Sequence, residues 1–225
     1  MQIEGKDING ARIVWEARDS EPGFGREFVV TPKSTGDYWI EAEIQWPDGT
    51  RAFARNGTTA DGSLVVWVDD EVPAGATASA SGGDAWKWVN TPAPQSGDSA
   101  HESSAAAGMH QHWFAGATST LKINTGDKLF AYVYLDPANP PAEIMLQWNM
   151  GNWEHRAYWG ANQLALGSDK TASRYYAGSL PAAGQWVKLE VPASAVGLEG
   201  QTVQGMAFTL FNGRAWWDSA GRSAQ

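Results

Sequence analysis

The chain has 225 residues, no cysteine and a formal charge of −9, which rules out disulfide scaffolding and thiol chemistry and sets an acidic surface against any phosphate backbone. It has no Lys/Arg cluster, so nucleic acid is not expected as a partner, and no stretch approaches the roughly 20 apolar residues of a membrane span. Twenty-five glycines, thirteen tryptophans and alternating β-branched and aromatic stretches between Gly, Pro, Asn and Asp clusters point to an all-β protein.

No signal peptide opens the chain, and Met1-Gln2-Ile3-Glu4 starts abruptly, so a monomeric piece of a larger secreted protein is expected. Absence of cysteine fits bacterial secretion as well as the cytoplasm. Residues 11–16 alternate and read as a strand. Residues 20–25 are a turn cluster, and residues 27–31 read as a second strand closed by Pro32. From Tyr38 to Trp46 the alternation is strong, Pro47-Asp48-Gly49 is a hairpin turn, and residues 51–54 return. Residues 55–63 are polar and contain glycine, the composition of a linker.

Gly36-Asp37-Tyr38 ahead of an alternating strand is similar to the corner of a bacterial immunoglobulin-like or PKD-like module. The resemblance covers residues 11–54 and implies that the Tyr38 hydroxyl ties a corner to the backbone. An Ig sandwich takes about seven strands in roughly 100 residues, and fewer are found here. Residues 1–58 are therefore expected to be a short, partial Ig-like unit.

A second unit, residues 64–225, opens with 64–68. Residues 76–84 and 91–99 read as loops, with the alternating stretch 85–89 between them, and the alanine-rich run 103–108 suits at most a helical turn. Strands are predicted over 110–114, 128–135, 144–148, 153–159, 173–176, 185–191, 205–211 and 215–218. About eight to ten short strands separated by turns make a β-sandwich or jelly roll. In 153–159 the alternation puts Trp153, His155, Ala157 and Trp159 on one face, and Glu154, Arg156 and Tyr158 on the other.

Gly126-Asp127-Lys128-Leu129, the stretch GQWVKLEVP at 184–192 and residues 205–218 resemble a galactose-binding-like jelly roll, the usual scaffold of non-catalytic carbohydrate-binding modules. Residues 134–141 and 153–160 also look like a domain appended to large bacterial surface proteins. The likeness spans residues 66–221. It implies non-catalytic polysaccharide binding in a secreted or cell-surface protein. It also implies a structural calcium ion, for which Asp69, Asp70 and Asp218 are the candidates, since calcium accepts about six to eight irregularly placed oxygens. The bland alternative for these three is solvated turn aspartates.

Sugar sites pair a flat aromatic ring with a few hydrogen-bonding side chains. The binding set read from the sequence is Trp153, Trp159 and Tyr158 for stacking, Arg156, Glu154 and Gln147 for hydroxyls, with Trp148, His155, His110 and His112 beside them. Trp86, Trp88 and Trp113 are further aromatic candidates, although most tryptophans of a sandwich are expected in its core. Two other readings stay open. A structural spacer or adhesion module would bury its tryptophans and show no aromatic groove. A metal-dependent polysaccharide-active enzyme would use His110 and His112, two residues apart on one strand face, with His101, His155 or Glu102 as third ligand. No acid–base carboxylate pair and no nucleophile motif stands out.

Overall fold

A computed structural model describes residues 7–30, 36–60 and 64–224. The chain divides into two compact units, Met1–Ser63 and Leu64–Gln225.

Unit 1 is a single antiparallel sheet among the described residues. Its strands are β1 (Arg12–Ala17), β2 (Gly23–Phe24), β3 (Gly36–Gln45) and β4 (Arg51–Ala60), in the order β2-β1-β3-β4. The period-two pattern of β3 buries Tyr38, Ala42 and Ile44 on one side. Ile13, Ile44 and Trp46 form the centre of its apolar cluster. The Tyr38 hydroxyl donates to the Arg18 carbonyl, so the expected tie to the backbone is made, but to the turn after β1. The second sheet that an Ig sandwich requires is not among the described residues.

Two expectations for unit 1 need correction. The predicted strand at 27–31 is not one in its described part: pairing with β1 is made by Gly23 and Phe24, and Phe28 leaves the ladder to stack on Trp15 at 6.0 Å. Thr31 and Pro32 lie outside the described residues. Residues 55–60 are not linker either, because the β3–β4 ladder runs unbroken from Gln45–Arg51 to Gly36–Ala60. A polar stretch reads as linker, yet polarity is also what an exposed edge strand carries. Residues 61–63 lie outside the described residues.

Unit 2 is a two-sheet sandwich. In chain order its strands are β5 (Leu64–Val68), β6 (Thr77–Ser81), β7 (Trp88–Val89), β8 (Ala100–Ser103), β9 (Met109–Ala115), β10 (Leu121–Lys122), β11 (Lys128–Leu135), β12 (Glu143–Asn149), β13 (His155–Gly160), β14 (Tyr175–Gly178), β15 (Trp186–Pro192), β16 (Thr202–Val203), β17 (Gly205–Phe211) and β18 (Ala215–Ser223). The first sheet runs β15-β11-β18-β8-β7, with β5 also on β18. The second runs β14-β13-β12-β17-β9-β6, and β10 pairs β16 separately. A 3-10 turn at Ala193–Val196 is the helical element among the described residues. The alanine run 103–108 forms none.

Between the sheets lies one core. Leu129, Ala131, Val133 and Trp217 of the first sheet meet Phe114, Ile144, Leu146, Trp148, Trp159, Phe208 and Leu210 of the second. Strand β12 is flanked on both sides, by β13 and β17, and every one of its residues is buried. That is why 144–146 is apolar without alternation. Strand β6, read from sequence as loop, pairs β9 and is exposed throughout. Its small polar residues suit an exposed edge. Among the described residues no helix is long and apolar enough to cross a membrane.

Candidate functional site

The outer face of the second sheet carries the candidate site. Cross-strand register aligns Ser79, Trp113, Ala207, Gln147 and Arg156 in one rung across β6, β9, β17, β12 and β13. The next rung is Ser81, Gln111, Thr209, Met145 and Tyr158. In an antiparallel ladder directly opposed residues share a face. In the middle of the first rung Ala207 offers only a methyl group. A hollow of about 270 Å³ opens there, lined by Trp113, Trp153, Gln111, Gln147 and Arg156, with Leu166 and Ala207 as apolar lining. Trp113 stands on β9 and Trp153 on the β12–β13 turn, with β17 and β12 between them in the sheet order.

The polar lining is held by a connected network. Gln147 Nε2 donates to Gln111 Oε1 at 3.0 Å and to Thr209 Oγ1 at 2.7 Å, and Thr209 Oγ1 donates to Gln111 Oε1 at 2.9 Å. Arg156 Nε donates to Gln147 Oε1 at 2.8 Å. Its Nη1 donates to the Ser173 carbonyl at 2.9 Å and to Glu154 at 3.1 Å. These bonds use both donors and the acceptor of Gln147, so its amide orientation is fixed by its partners. The Gln111 oxygen is used twice, and its amide nitrogen has no hydrogen-bond partner among the described residues. Leu166 is carried by the loop after β13. That loop is tied down where Glu143 accepts the Gln163 and Leu164 amides and where Arg174 donates to the Leu164 carbonyl at 3.1 Å.

The residues read from sequence fall on both sides of this sheet. Trp153, Arg156 and Gln147 line the hollow. Glu154 borders it, with a side chain 61% exposed and paired to Arg156; the Arg156 hydrogen bond and charge hold its carboxyl below the usual range. Trp148 and Trp159 belong to the core between the sheets, so neither is a stacking platform. Tyr158 is also covered: its ring packs with Met145 and Leu164, and its hydroxyl donates to Asp169 at 2.9 Å. Burial, with Asp169 beside it, pushes that hydroxyl up to about 12. His155 Nδ1 donates to the Val196 carbonyl at 2.7 Å, away from the hollow.

His110 and His112 do share a strand face, but it is the inner one. Both are fully buried. His112 Nδ1 lies 3.1 Å from Asp84, and its Nε2 lies 2.8 Å from His101 Nδ1. With Nδ1–H donating to the carboxylate, Nε2 accepts from His101. Trp86, Trp88 and Phe208 surround this chain of rings. His110 Nδ1 lies farther from the same carboxylate, at 3.5 Å, so both histidines face Asp84 in the core and not the hollow on the outer face. Gln111, not named among the sequence candidates, is the outward residue between His110 and His112, and Thr209 faces it from β17, on which no candidate was named.

Asp69 and Asp218 come together where β18 changes partner from β8 to β5 around Ser219. Asp218 Oδ2 accepts the Gln95 and Ser96 amides at 2.7 and 3.0 Å, and Ser96 Oγ donates to Asp69 at 3.3 Å. Asp69 Oδ1 is buried without a hydrogen-bond partner. Burial, then the neighbouring Asp70, raises the Asp69 carboxyl. Burial, with the Asp69 charge, pushes Asp218 up to about 6 despite its amide bonds. Asp70 is turned elsewhere, accepting the Asp98 and Ser99 amides at 2.7 Å each. Among the described residues no three His, Asp or Glu side chains converge as a metal site.

No protein-family model matches the sequence, and no curated protein is similar to it. Similar solved structures do exist. The architecture is a β-sandwich. One such structure comes from a study of promiscuous specificity in carbohydrate-binding modules of the β-sandwich superfamily, with 11% identity, 94% of this chain and 84% of that one covered, and a TM-score of 0.45. Another is a family 11 carbohydrate-binding module of Clostridium thermocellum with a β-1,3-1,4-mixed-linked tetrasaccharide, with 12% identity, 71% and 94% covered, and a TM-score of 0.39. A third is a family 61 module with β-1,4-galactotriose, with 9% identity, 67% and 88% covered, and a TM-score of 0.40. At these identities and scores the sandwich is tied to none of them in particular.

Proposed function

We propose that unit 2 binds a neutral polysaccharide, without cleaving it, in the hollow on the outer face of the second sheet. The observation that carries this reading is the pairing of Trp113 and Trp153 with a pre-formed polar network around the methyl group of Ala207. Indole rings accept the C–H faces of pyranose rings. The network holds its donors and acceptors in place before any ligand arrives, which lowers the entropy lost on binding. The Arg156 charge is already compensated by Glu154, so the hollow favours hydroxyls over carboxylate or sulfate groups. Its lining contains no carboxylate, whereas glycoside hydrolysis draws on a pair of them across the scissile bond. A secreted or cell-surface setting, as part of a longer chain, goes with this reading.

In the same reading a calcium ion is held by Asp69 and Asp218, with loop oxygens completing its shell. Supporting it are the unpartnered buried Oδ1 of Asp69 and two carboxyls whose pKa values are raised by burial and mutual charge, a cost that a bound cation removes. The ion would stiffen the junction of β5 and β18 and takes no part in sugar contact.

The test is binding to xylan, mannan, galactan and mixed-linked β-glucan by affinity electrophoresis. One of these retards the protein, and Trp113→Ala or Trp153→Ala each removes most of the retardation while leaving the thermal unfolding cooperative. A protein retarded equally with both tryptophans replaced would overturn the assignment of the site.

A further inference from the structure

Unit 1 contains a glycine that its own fold does not require. Gly57 sits inside β4, in a ladder without bulge or register shift. Its φ is outside the left-handed region. A Cβ built on it meets nothing nearer than the Tyr38 carbonyl oxygen at 3.9 Å. Glycine inside a strand is destabilising, and besides bulges and bends its recurrent use is to let a ligand or another backbone approach closely.

What Gly57 leaves uncovered is Trp39, its direct partner across the ladder. Around the pair is a hollow of about 350 Å³, lined also by Asp37, Arg55 and Thr58. The Arg55 guanidinium lies 4.8 Å from the centroid of the Trp39 ring, which holds the indole in place on one of its faces. The volume is at the lower end of the roughly 300–1,000 Å³ of small-ligand clefts. Asp37, Trp39, Arg55 and Gly57 lie on one face of the β3–β4 ladder, whereas Thr58 is opposite the buried Tyr38 and its side chain belongs to the other face. An aromatic ring, a cation and an acid side chain at one small open hollow is a combination that recognises a ring with an apolar face and polar edges.

We propose that this hollow is a second saccharide-binding site, independent of the one in unit 2. A pyranose ring stacks on Trp39 over Gly57, and its hydroxyls bond to Arg55 and Asp37.

The variant Gly57→Val decides this, because it fills the hollow and leaves Trp39 in place. The backbone accepts a Cβ there, and a β-branched residue favours a strand, so the fold is retained; thermal unfolding checks that. Hexasaccharides of xylose, mannose, galactose and mixed-linked glucose are titrated into the full chain, read by tryptophan fluorescence, in four proteins: wild type, Trp113→Ala/Trp153→Ala, Gly57→Val and the triple variant. The expected result is residual binding in the Trp113→Ala/Trp153→Ala protein that falls by about tenfold or more when Gly57→Val is added, the scale of losing one buried aromatic contact. Residual binding that Gly57→Val leaves unchanged overturns the proposal. So does complete loss of binding in the Trp113→Ala/Trp153→Ala protein, which would leave the unit 2 site standing alone. Binding unaffected by the two tryptophan substitutions but lost with Gly57→Val would support this proposal and overturn the unit 2 assignment. A concentration-dependent dimer of the wild type, dissolved by Gly57→Val and without any sugar response, would show that a second copy approaches Gly57 and would overturn the saccharide site.

Discussion

Arg156 and Glu154 form one ion pair but occupy different environments. The Arg156 side chain is 7% exposed and the Glu154 side chain 61%. An exposed partner in an ion pair contributes about 1 kcal/mol or less, so Glu154→Ala is expected to change stability within that range. Arg156→Ala instead leaves Gln147 Oε1 and the Ser173 carbonyl without their donor, a loss of about 1–3 kcal/mol. Urea denaturation of both variants measures the difference; equal effects would mean that the network around Gln147 is not the constraint described here. In β13 the alternation read from the sequence separates Arg156 and Tyr158 from Ala157 and Trp159, as the structure does, but Trp153, grouped there with Trp159, lines the hollow beside Arg156. In β9 the face was not legible. In β9 both phases carry aromatic and polar residues, Gln111 and Trp113 in one and His110, His112 and Phe114 in the other. Only pairing with β17, which buries Phe208 and Leu210 on the same side as the histidines, settles which phase is core.

Long apolar strands were the most readable elements, whereas β8, which lies between β18 and β7, was not predicted. β11 and β17 coincide with the predicted stretches 128–135 and 205–211 because long apolar runs between turn residues admit no other assignment. Exposed edge strands such as β6 and the end of β4 were not readable, since their composition matches that of loops. β18 runs to Ser223, well past the predicted 215–218, and its close approach to β5 makes a local test. A Cβ on Gly221 would stand 1.9 Å from the Val65 carbonyl oxygen, so Gly221→Ala forces the two strands apart. The expected loss is about 2 kcal/mol or more, the scale of overpacking a core, with early hydrogen exchange of the β5 amides. Full amide protection in that variant would contradict the pairing.

Across unit 2, the buried titratable groups pull stability in opposite directions with pH. Burial lowers His101 and His112 below their ordinary value of 6.5. The unfolded chain therefore binds more protons below that pH, and stability falls on acidification. Replacing one of them, as in His101→Phe, is expected to shrink the drop in urea midpoint between pH 7.5 and 5.5; an unchanged drop would contradict this. Asp218, raised to about 6, acts in the other sense. Between 3.8 and about 6 the folded state holds the extra proton, so its contribution is lost as pH rises. A calcium ion at Asp69 and Asp218 binds the ionised form, so millimolar calcium raises the melting temperature at pH 7 and does so much less at pH 5. No shift at pH 7 would remove calcium from the account.

In the proposed complex a glycan lies between Trp113 and Trp153. The most direct test is a nitrogen–proton NMR titration of the full chain with the oligosaccharide that binds best. The indole N–H signals of Trp113 and Trp153 and the side-chain amide of Gln111 are predicted to shift together and saturate, while those of Trp148, Trp159 and Trp217, enclosed in the core, stay still. Shifts confined to other tryptophans would contradict the site, and shifts of the core signals alone would mean that the sugar acts on the fold and not in the hollow.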